Sequence, residues 1–362
     1  MSDVLTLPNI EINFKRLAST FIARSERGIA ILIIKDDTDT TFTIKEYLDL
    51  SQLNKDKAKY TETNYKYLND IIGFGVAKLI VVRIGVSDPI TNALTVIGKK
   101  YKTGWITFIG TTEEYKSLIE FIKVKSVEHY TFKGVVYKTD KTDHENIVNF
   151  VNPKVTFDDE RGEVEGNEYL PSVIGILCAC NVKRGCTYYK CTNLKSVEEV
   201  DDQNQALNSG QFILINDFEE VKVGLGINSL ITFNDQNGKF DDMRYIDFIE
   251  AMHMIQDDVR RTFKDDYIGS HKNQLDDQMI FISAVNTYFN SLAKEDILDK
   301  EYDNVAAIDI EAQRKAWQKV KDEAATWSDT KVKNTSFKRS LFLTGDIKIL
   351  GAMENLTFNI YV

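Results

Sequence analysis

Apolar and polar residues alternate in the two terminal segments of the chain. In the N-terminal segment, which Pro8 interrupts, the apolar positions are Leu5, Leu7, Ile10, Ile12 and Phe14. In the C-terminal segment the apolar positions are Leu356, Phe358, Ile360 and Val362. A period of two is typical of β-strands, and no turn signal follows the N-terminal segment that would fold it into a hairpin. The pattern predicts two extended strands whose pairing partners lie elsewhere.

Between these segments, short apolar runs alternate with stretches of helical periodicity. The runs that predict strands are residues 28–34, 79–84, 105–109, 132–137 and 212–215. Helices are predicted at 44–53, 65–72 and 112–123, and the third has one apolar face made of Tyr115, Leu118, Ile119 and Ile122. This alternation predicts an α/β fold with a mostly parallel sheet covered by helices.

The chain after the turn residues 234–238 is richer in predicted helix. Long helices are expected at 241–264, 274–292 and 310–327. The first has an apolar stripe of Met243, Ile246, Ile249, Met252, Ile255, Val259 and Phe263. Stripes of this kind pack against a core, so we expect a separate C-terminal unit. The fold class predicted for the whole chain is α/β, with mixed sheets flanked by helices and with extended terminal strands.

Composition narrows the class of protein. The 362 residues include 45 Lys+Arg and 55 Asp+Glu, a net charge of −10, whereas a nucleic-acid-binding domain carries a basic face. Only four prolines are present and no tract is rich in Ser, Gly or Pro, which argues against domains joined by long linkers and against a long disordered tail. No secretion-signal pattern begins the sequence, and no apolar run has the length of a membrane span. We expect a compact protein that folds in the cytoplasm and does not bind nucleic acid or insert into a membrane.

The sequence gives little support for a cofactor site or a metal site. Glycine pairs such as Gly73 and Gly75 precede a predicted strand, whereas a dinucleotide loop follows a strand and opens a helix. The cysteines lie within fourteen residues, at Cys178, Cys180, Cys186 and Cys191. Their spacing lacks the C-x₂₋₄-C pairs of zinc sites, and no histidine is near. The favoured interpretation is four packed thiols, with a metal site as the alternative.

Histidines and acidic pairs form no catalytic pattern. His253 has Asp257 four residues later but no third ligand, and His144 lies in an Asp-His-Glu run expected to begin a solvated helix. Acidic pairs such as Asp257–Asp258 are expected to be helix-face or capping charges. No G-x-S-x-G motif is present. We therefore expect no enzymatic activity.

Three segments of the C-terminal third carry a resemblance to a known family. They are GINSLITF at 226–233, FDDMRYIDFIEAMHMIQDDVRRTFKDDYIGSHKN at 240–273 and MENLTFNIYV at 353–362. In this order they resemble the tail sheath proteins of contractile phages, R-type bacteriocins and related injection machines. The N-terminal LPNIEINFK is also similar to the start of that family. One departure is Ser270, which follows Tyr-Ile-Gly where many relatives have Lys.

The resemblance implies a structural subunit without catalytic residues, metal or cofactor. Such subunits stack as hexameric rings around an inner tube and contract to drive the tube through a target envelope. The two alternating terminal segments would add strands to the sheets of neighbouring subunits. The implied partners are further copies of the chain, the inner tube protein, the baseplate and the tail terminator or collar. Assembly would take place in the bacterial cytoplasm, before release as a phage tail or bacteriocin particle.

The resemblance also implies four parts. They are an N-terminal strand arm at 1–22, an α/β outer domain at 23–237, a tube-facing helix-rich domain at 238–345 and a C-terminal strand arm at 346–362. The candidate tube contact is a basic helix face with Arg314, Lys315, Lys319 and Lys321. The alternative is an ordinary solvated helix with Ala316, Val320 and Trp327 turned inward.

Two other functions stay open at this point. The chain is also compatible with a soluble α/β enzyme or small-molecule binder whose site has no recognisable motif. A metal-binding protein that uses the Cys178–Cys191 cluster is the third interpretation.

Overall fold

The computed structural model of the chain describes residues 22–25, 27–140, 142–180, 182–234, 236 and 238–360. These residues fall into two compact units. The larger unit contains Arg24–Asp257, Lys294–Asp299 and the segment from Lys348 onward, and the smaller unit contains Asp258–Ala293 and Lys300–Ile347. The four-part division expected from the sequence stays a prediction.

Strands and helices alternate along the larger unit. Its strands are β1 (Ile29–Lys35), β2 (Ile44–Tyr47), β3 (Lys78–Ile84), β4 (Thr103–Thr107), β5 (Thr131–Tyr137), β6 (Ile147–Phe150), β7 (Lys154–Phe157), β8 (Glu163–Glu165), β9 (Leu194–Val197), β10 (Gln211–Phe212), β11 (Leu214–Asp217) and β12 (Glu220–Val223). Its helices are α1 (Leu50–Lys55), α2 (Glu62–Gly73), α3 (Ile90–Lys100), α4 (Thr112–Val127), α5 (Leu170–Ala179), α6 (Gln203–Asn208) and most of α7 (Ile246–Thr262). Short 3₁₀ turns lie at Lys57–Lys59, Gly166–Tyr169 and Asp241–Arg244.

A seven-stranded sheet forms the centre of the larger unit. Its strand order is β10-β6-β5-β4-β1-β3-β2, and every neighbouring pair is parallel except β2 with β3. The interior strand β1 is an almost unbroken apolar run, as expected where helices cover both faces of a parallel sheet. The structure thus confirms the mostly parallel sheet and the α/β class. The face of α4 predicted from Tyr115, Leu118, Ile119 and Ile122 is buried.

Helix α5 is apolar around almost its whole circumference and is buried from Leu170 to Cys178. A helix of this composition belongs in a protein interior. Gly175 allows the close approach of α5 to α2, because a Cβ there would lie 3.2 Å from the Cα of Ile71. This helix fixes the positions of Cys178 and of the sheet strands beneath it.

Two predicted elements of the larger unit are corrected. Residues 44–53 were expected to be one helix, but β2 pairs with β3 and α1 begins only at Leu50, where the Asp49 side chain caps the backbone N–H of Gln52 at 2.8 Å. The expected strand at 212–215 is split into β10 and β11. The Asn152 side chain causes the split, because it accepts from the backbone N–H of Leu214 at 2.7 Å and donates to its carbonyl at 2.9 Å.

The smaller unit consists of helices and one short antiparallel sheet. Its elements are the end of α7, α8 (Leu275–Lys294), β13 (Val305–Ile308), α9 (Ile310–Gln318), α10 (Asp329–Asn334) and β14 (Leu343–Asp346). A π-helical turn at Phe263–Tyr267 follows α7. The helix expected at 310–327 ends at Gln318, and a 3₁₀ turn follows at Asp322–Thr326. Within the described part of the chain, no helix combines the length and apolarity needed to cross a membrane.

Candidate functional site

The C-terminal segment begins at Lys348, where backbone hydrogen bonds hold it to residues 297–299. The backbone N–H of Asp299 donates to the carbonyl of Lys348 at 2.8 Å, and the N–H of Leu350 donates to the carbonyl of Ile297 at 3.0 Å. The Lys348 ammonium lies 2.8 Å from the Asp299 carboxylate. Since Ile297 and Leu298 are buried, these contacts tie the start of the segment to the core.

Beyond this point the segment lies exposed along its length. The backbone N–H of Ala352 donates to Asp247 at 3.2 Å, and the Thr187 hydroxyl donates to Glu354 at 2.6 Å. Residues 351–360 form neither helix nor strand within the described chain. The exposed fractions are 86% for Leu356, 75% for Phe358 and 70% for Ile360. A row of exposed apolar side chains at alternate positions marks an interaction surface.

The predicted N-terminal strand lies outside the described residues, and so does Val362. This applies to Leu5, Leu7, Ile10, Ile12 and Phe14. The first described residues of the larger unit are nevertheless held firmly. Arg24 forms an ion pair with Glu295 at 2.7 Å, and Arg27 forms ion pairs with Glu250 at 2.5 Å and Asp257 at 3.1 Å. The residues that follow the N-terminal segment are therefore bound to helix α7 through Arg27.

Glu250 is the centre of a buried charge cluster. Its carboxylate accepts from the Trp105 indole at 2.9 Å and from the Lys133 ammonium, whose side chain is only 3% exposed. Burial disfavours ionisation of Glu250, but the positive charges of Lys133 and Arg27 outweigh it and hold its pKa well below the ordinary value. Nearby His253 is also buried, which lowers its pKa and keeps it neutral. These groups form a structural ion cluster, in which each charge is paired.

Two sequence interpretations of polar residues are wrong. Asp258 was expected to be a helix-face or capping charge, but it is fully buried and accepts from the Tyr288 hydroxyl at 2.6 Å. His144 was expected in a solvated helix start, but it is buried, and burial lowers its pKa to about 4. Its Nδ1 accepts from the backbone N–H of Asn146 at 3.1 Å. In each case the partner comes from the fold and is not evident from the local sequence.

The four cysteines are buried and are not in disulfide bonds. Burial raises the pKa of the Cys180 and Cys191 thiols to about 12, and it also raises those of Cys178 and Cys186. Protonated thiols are poor metal ligands and poor nucleophiles. Among the described residues, no group of three or more His, Cys, Asp or Glu side chains is placed to hold a metal ion.

The four basic residues predicted to contact the tube differ in exposure and in their hydrogen bonds. Arg314 donates to the carbonyl of Trp327 and to the Asp329 carboxylate, so that it joins α9 to α10. Lys315, Lys319 and Lys321 are exposed. Lys315 lies 3.5 Å from Glu311, and the Lys321 ammonium lies 5.8 Å from the centre of the Trp317 ring. The three lysines present an exposed basic surface, whereas Arg314 stabilises the smaller unit.

The inward face of this helix differs from the expectation. Trp327 is buried, but Val320 is 50% exposed. The side chain that is fully buried on α9 is Gln313, which donates to the carbonyl of Val332 at 2.6 Å. Sequence periodicity alone does not identify a buried glutamine, because its partner lies on α10.

The strands β13 and β14 form a sheet that sequence reasoning missed. Val305 pairs with Asp346 and Ile308 with Leu343. The outer edge of β13 is occupied at Ala306, whose backbone N–H donates to the Asn286 side chain at 2.7 Å and whose carbonyl accepts from it at 3.2 Å. On the outer edge of β14 no strand is paired within the described chain. An open edge of this kind is a template for a further strand.

Comparison with known proteins shows that this chain is similar to tail sheath proteins. The family model described as phage tail sheath C-terminal domain matches residues 239–362. The tail sheath protein of Clostridium phage phiCD119 is 25% identical over 366 residues, which cover 98% of this chain and 99% of that protein.

Solved structures show the same fold. The crystal structure of a sheath tail protein from Desulfitobacterium hafniense has a TM-score of 0.67 at 16% identity and covers 83% of this chain and 94% of its own. The sheath of an extracellular contractile injection system, PVC, was solved in the contracted state. It has a TM-score of 0.67 at 10% identity, and the match covers 99% of this chain and 98% of that chain. Residues 239–362 thus match a phage tail sheath domain, and the whole chain is similar to tail sheath proteins in sequence and in fold.

Proposed function

We propose that the protein is the repeating subunit of a helical sheath, stacked as hexameric rings around an inner tube, and that contraction of the sheath drives the tube into a target envelope. The observation that carries the proposal is the exposed apolar alternation of Leu356, Phe358 and Ile360 in a chain that also has an open sheet edge at β14. A chain that carries both a donor strand and an acceptor edge polymerises with itself.

The acceptor edge is β14. A sheet of two four-residue strands is marginal by itself, so a third strand from a neighbouring subunit would complete it. The main-chain hydrogen bonds of the added strand give affinity, and its alternate side chains fix its register. Burial of the three apolar side chains contributes roughly 1.5–3 kcal/mol each before ordering costs. We assign the N-terminal residues Leu5, Leu7, Ile10, Ile12 and Phe14 the same role as a second donor strand.

The further partners follow from this assembly. A sheath needs an inner tube to surround, a baseplate that triggers contraction and a terminator or collar that ends it. Relatives include the sheath of an extracellular contractile injection system and proteins of an anti-feeding prophage baseplate. We infer that this chain assembles in the bacterial cytoplasm and is released in an extracellular particle. Capsid and terminase genes beside its own gene would identify a phage tail, and their absence a headless device.

Concentrated, purified full-length protein is expected to form rings or tubes visible by electron microscopy. The net charge of −10 makes subunits repel one another, so assembly should increase with salt in the range where surface charges become screened. A discrete monomer or dimer at all concentrations and salt levels would contradict the proposal. A monomer whose melting temperature rises with a small molecule would favour the enzyme or binder instead.

Reversal of charge at Lys315, Lys319 and Lys321 to Glu is expected to prevent co-assembly of the sheath with its inner tube. The expected cause is repulsion of a complementary acidic tube surface. Tubes of sheath alone should still form, because these side chains lie on an exposed face of the smaller unit. Co-sedimentation of sheath with tube protein measures the effect.

A matched control variant replaces three exposed lysines of the larger unit by Glu, so that the net charge changes by the same amount. Lys99, Lys116 and Lys195 are also exposed and lie in the larger unit. Their replacement by Glu should leave co-assembly intact. Equal loss in both triple variants would indicate a general effect of net charge and would remove the tube assignment from the helix.

A further inference from the structure

The smaller unit contains a cleft with an aromatic floor. Its volume is about 700 Å³, and a cavity of about 150 Å³ is enough to hold a benzene ring. The floor is built from Phe263, Tyr267 and Phe281, with ring centres 5.1 Å apart for Phe263 and Phe281 and 4.7 Å apart for Tyr267 and Phe281. The π-helical turn at Phe263–Tyr267 shapes this floor. Such turns are frequent at functional positions.

The rim of the cleft is basic although the whole chain is acidic. Lys272, Lys338 and Arg339 line it and are exposed. The one lining acid is Asp277, which already interacts with His271 at 3.2 Å. An occupant that combines an apolar ring with negative charge would therefore match both the floor and the rim.

One buried hydrogen-bond acceptor that lines the cleft, the side-chain oxygen of Gln278, has no donor among the described residues. Gln278 is 3% exposed and lines the cleft. Its amide nitrogen donates to Asn273 at 2.6 Å and to Ser336 at 3.0 Å, but its Oε1 accepts no hydrogen bond from the described residues. A buried acceptor without a donor costs about 1–3 kcal/mol. A backbone N–H of an occupant would satisfy it.

The hairpin of β11 and β12 in the larger unit offers such an occupant. Asp217 pairs with Glu220, so Phe218 and Glu219 form the two-residue turn at its tip. Phe218 is completely exposed and has a φ of +57°, a conformation that favours Asn or Gly. A bulky apolar residue in this position is unfavourable for the fold alone, which points to a role in binding. Glu219 beside it is exposed and acidic.

We propose that the Phe218 hairpin tip of one subunit inserts into the Phe263–Tyr267–Phe281 cleft of a second copy of the chain. The Phe218 ring packs on the aromatic floor, and the Glu219 carboxylate pairs with Arg339 and Lys338. A turn N–H donates to Gln278 Oε1. This contact rests on the proposed self-assembly and names one of its interfaces.

Cross-linking between two single variants tests the contact. All four native cysteines are buried, so Glu219→Cys in one preparation and Arg339→Cys in another introduce the only exposed thiols among the described residues. When the two are mixed and oxidised, a covalent dimer that needs both variants is expected. Glu219→Cys mixed with Lys315→Cys, an exposed residue outside the cleft lining, is the control and should give none.

Absence of the cross-link overturns the contact, whether or not tubes form. Tube formation by the wild-type chain is scored separately and tests the proposed sheath function. A cross-link without tubes would support the contact and contradict the sheath assembly. A cross-link equally strong with Lys315→Cys would indicate random collision and would also overturn the contact.

Phe218→Asn separates binding from folding. Asn tolerates the positive φ, so the melting temperature of the monomer should be unchanged or higher. The concentration needed for assembly should rise about ten- to a hundredfold, because the buried ring is lost. A lower melting temperature with unchanged assembly would make Phe218 a structural residue and refute its role as an anchor. Glu219→Arg and Arg339→Glu should each weaken assembly, and their combination should restore it.

Discussion

Replacement of Leu356, Phe358 and Ile360 by Ser is expected to abolish sheath assembly and to leave the folded monomer unchanged. The three side chains are exposed in the single chain, so their removal costs the monomer little. In the assembly they would be buried at roughly 1.5–3 kcal/mol each. A loss of about 4 kcal/mol alone corresponds to about a thousandfold in the concentration required. Sedimentation and electron microscopy measure assembly, and thermal unfolding measures the monomer.

The opposite face of the same segment provides the control. Thr357 and Asn359 alternate with the apolar residues and are exposed as well. Their replacement by Ser keeps the apolar face intact, and tubes of normal length are expected. If the triple apolar variant also formed full-length tubes, strand addition through the C-terminal segment would be refuted. If the control variant failed as well, the requirement would be for the segment as a whole and not for its apolar face.

Sequence patterns were sufficient where a structure depends on local periodicity. The apolar face predicted for α4 is buried in the core. The strand predicted from the alternation of Leu356, Phe358 and Ile360 stays a prediction, because residues 351–360 form neither helix nor strand within the described chain. The parallel sheet followed from the alternation of strands and helices. These signals are local, because the side-chain periods of strands and helices differ.

Sequence reasoning failed where a polar residue finds its partner far along the chain. The sequence predicts Asp258 to be a helix-face or capping charge, whereas in the structure it is buried and accepts a hydrogen bond from the Tyr288 hydroxyl. The short strand β13 was missed because its edge is held by the Asn286 side chain of α8. A four-residue strand such as β13 carries almost no periodicity of its own. Partners separated by tens of residues leave no local pattern from which they can be inferred.

Glu250→Gln is expected to lower the free energy of unfolding by about 3–5 kcal/mol, the cost of removing one partner from a buried ion pair. The substitution leaves the Lys133 ammonium buried without its carboxylate. It also removes the ion pair between Arg27 and Glu250 of α7, whereas the ion pair between Arg27 and Asp257 of α7 is kept. We therefore expect a lower melting temperature together with weaker assembly. Urea unfolding of the full chain measures the first effect.

The pH dependence gives a second test of the same cluster. Because the pKa of Glu250 is lowered in the folded state, its stabilising effect is complete above its ordinary pKa, near 4.5, and is lost as the pH falls below that value. Neutral, buried His253 adds a loss of stability as the pH falls below about 6.5, since the unfolded chain then binds its proton more readily. In Glu250→Gln the first of these losses should disappear.

An exposed ion pair separates these effects from those of any lost carboxylate. Glu113 lies 2.6 Å from Lys116 on the surface of α4, and exposed pairs contribute about 0–1 kcal/mol. Glu113→Gln should therefore barely change the unfolding free energy or its pH dependence. If Glu250→Gln cost no more than Glu113→Gln, the charge cluster would not stabilise the fold. The attachment of the N-terminal segment would then have to depend on the Arg24–Glu295 and Arg27–Asp257 ion pairs, neither of which includes Glu250.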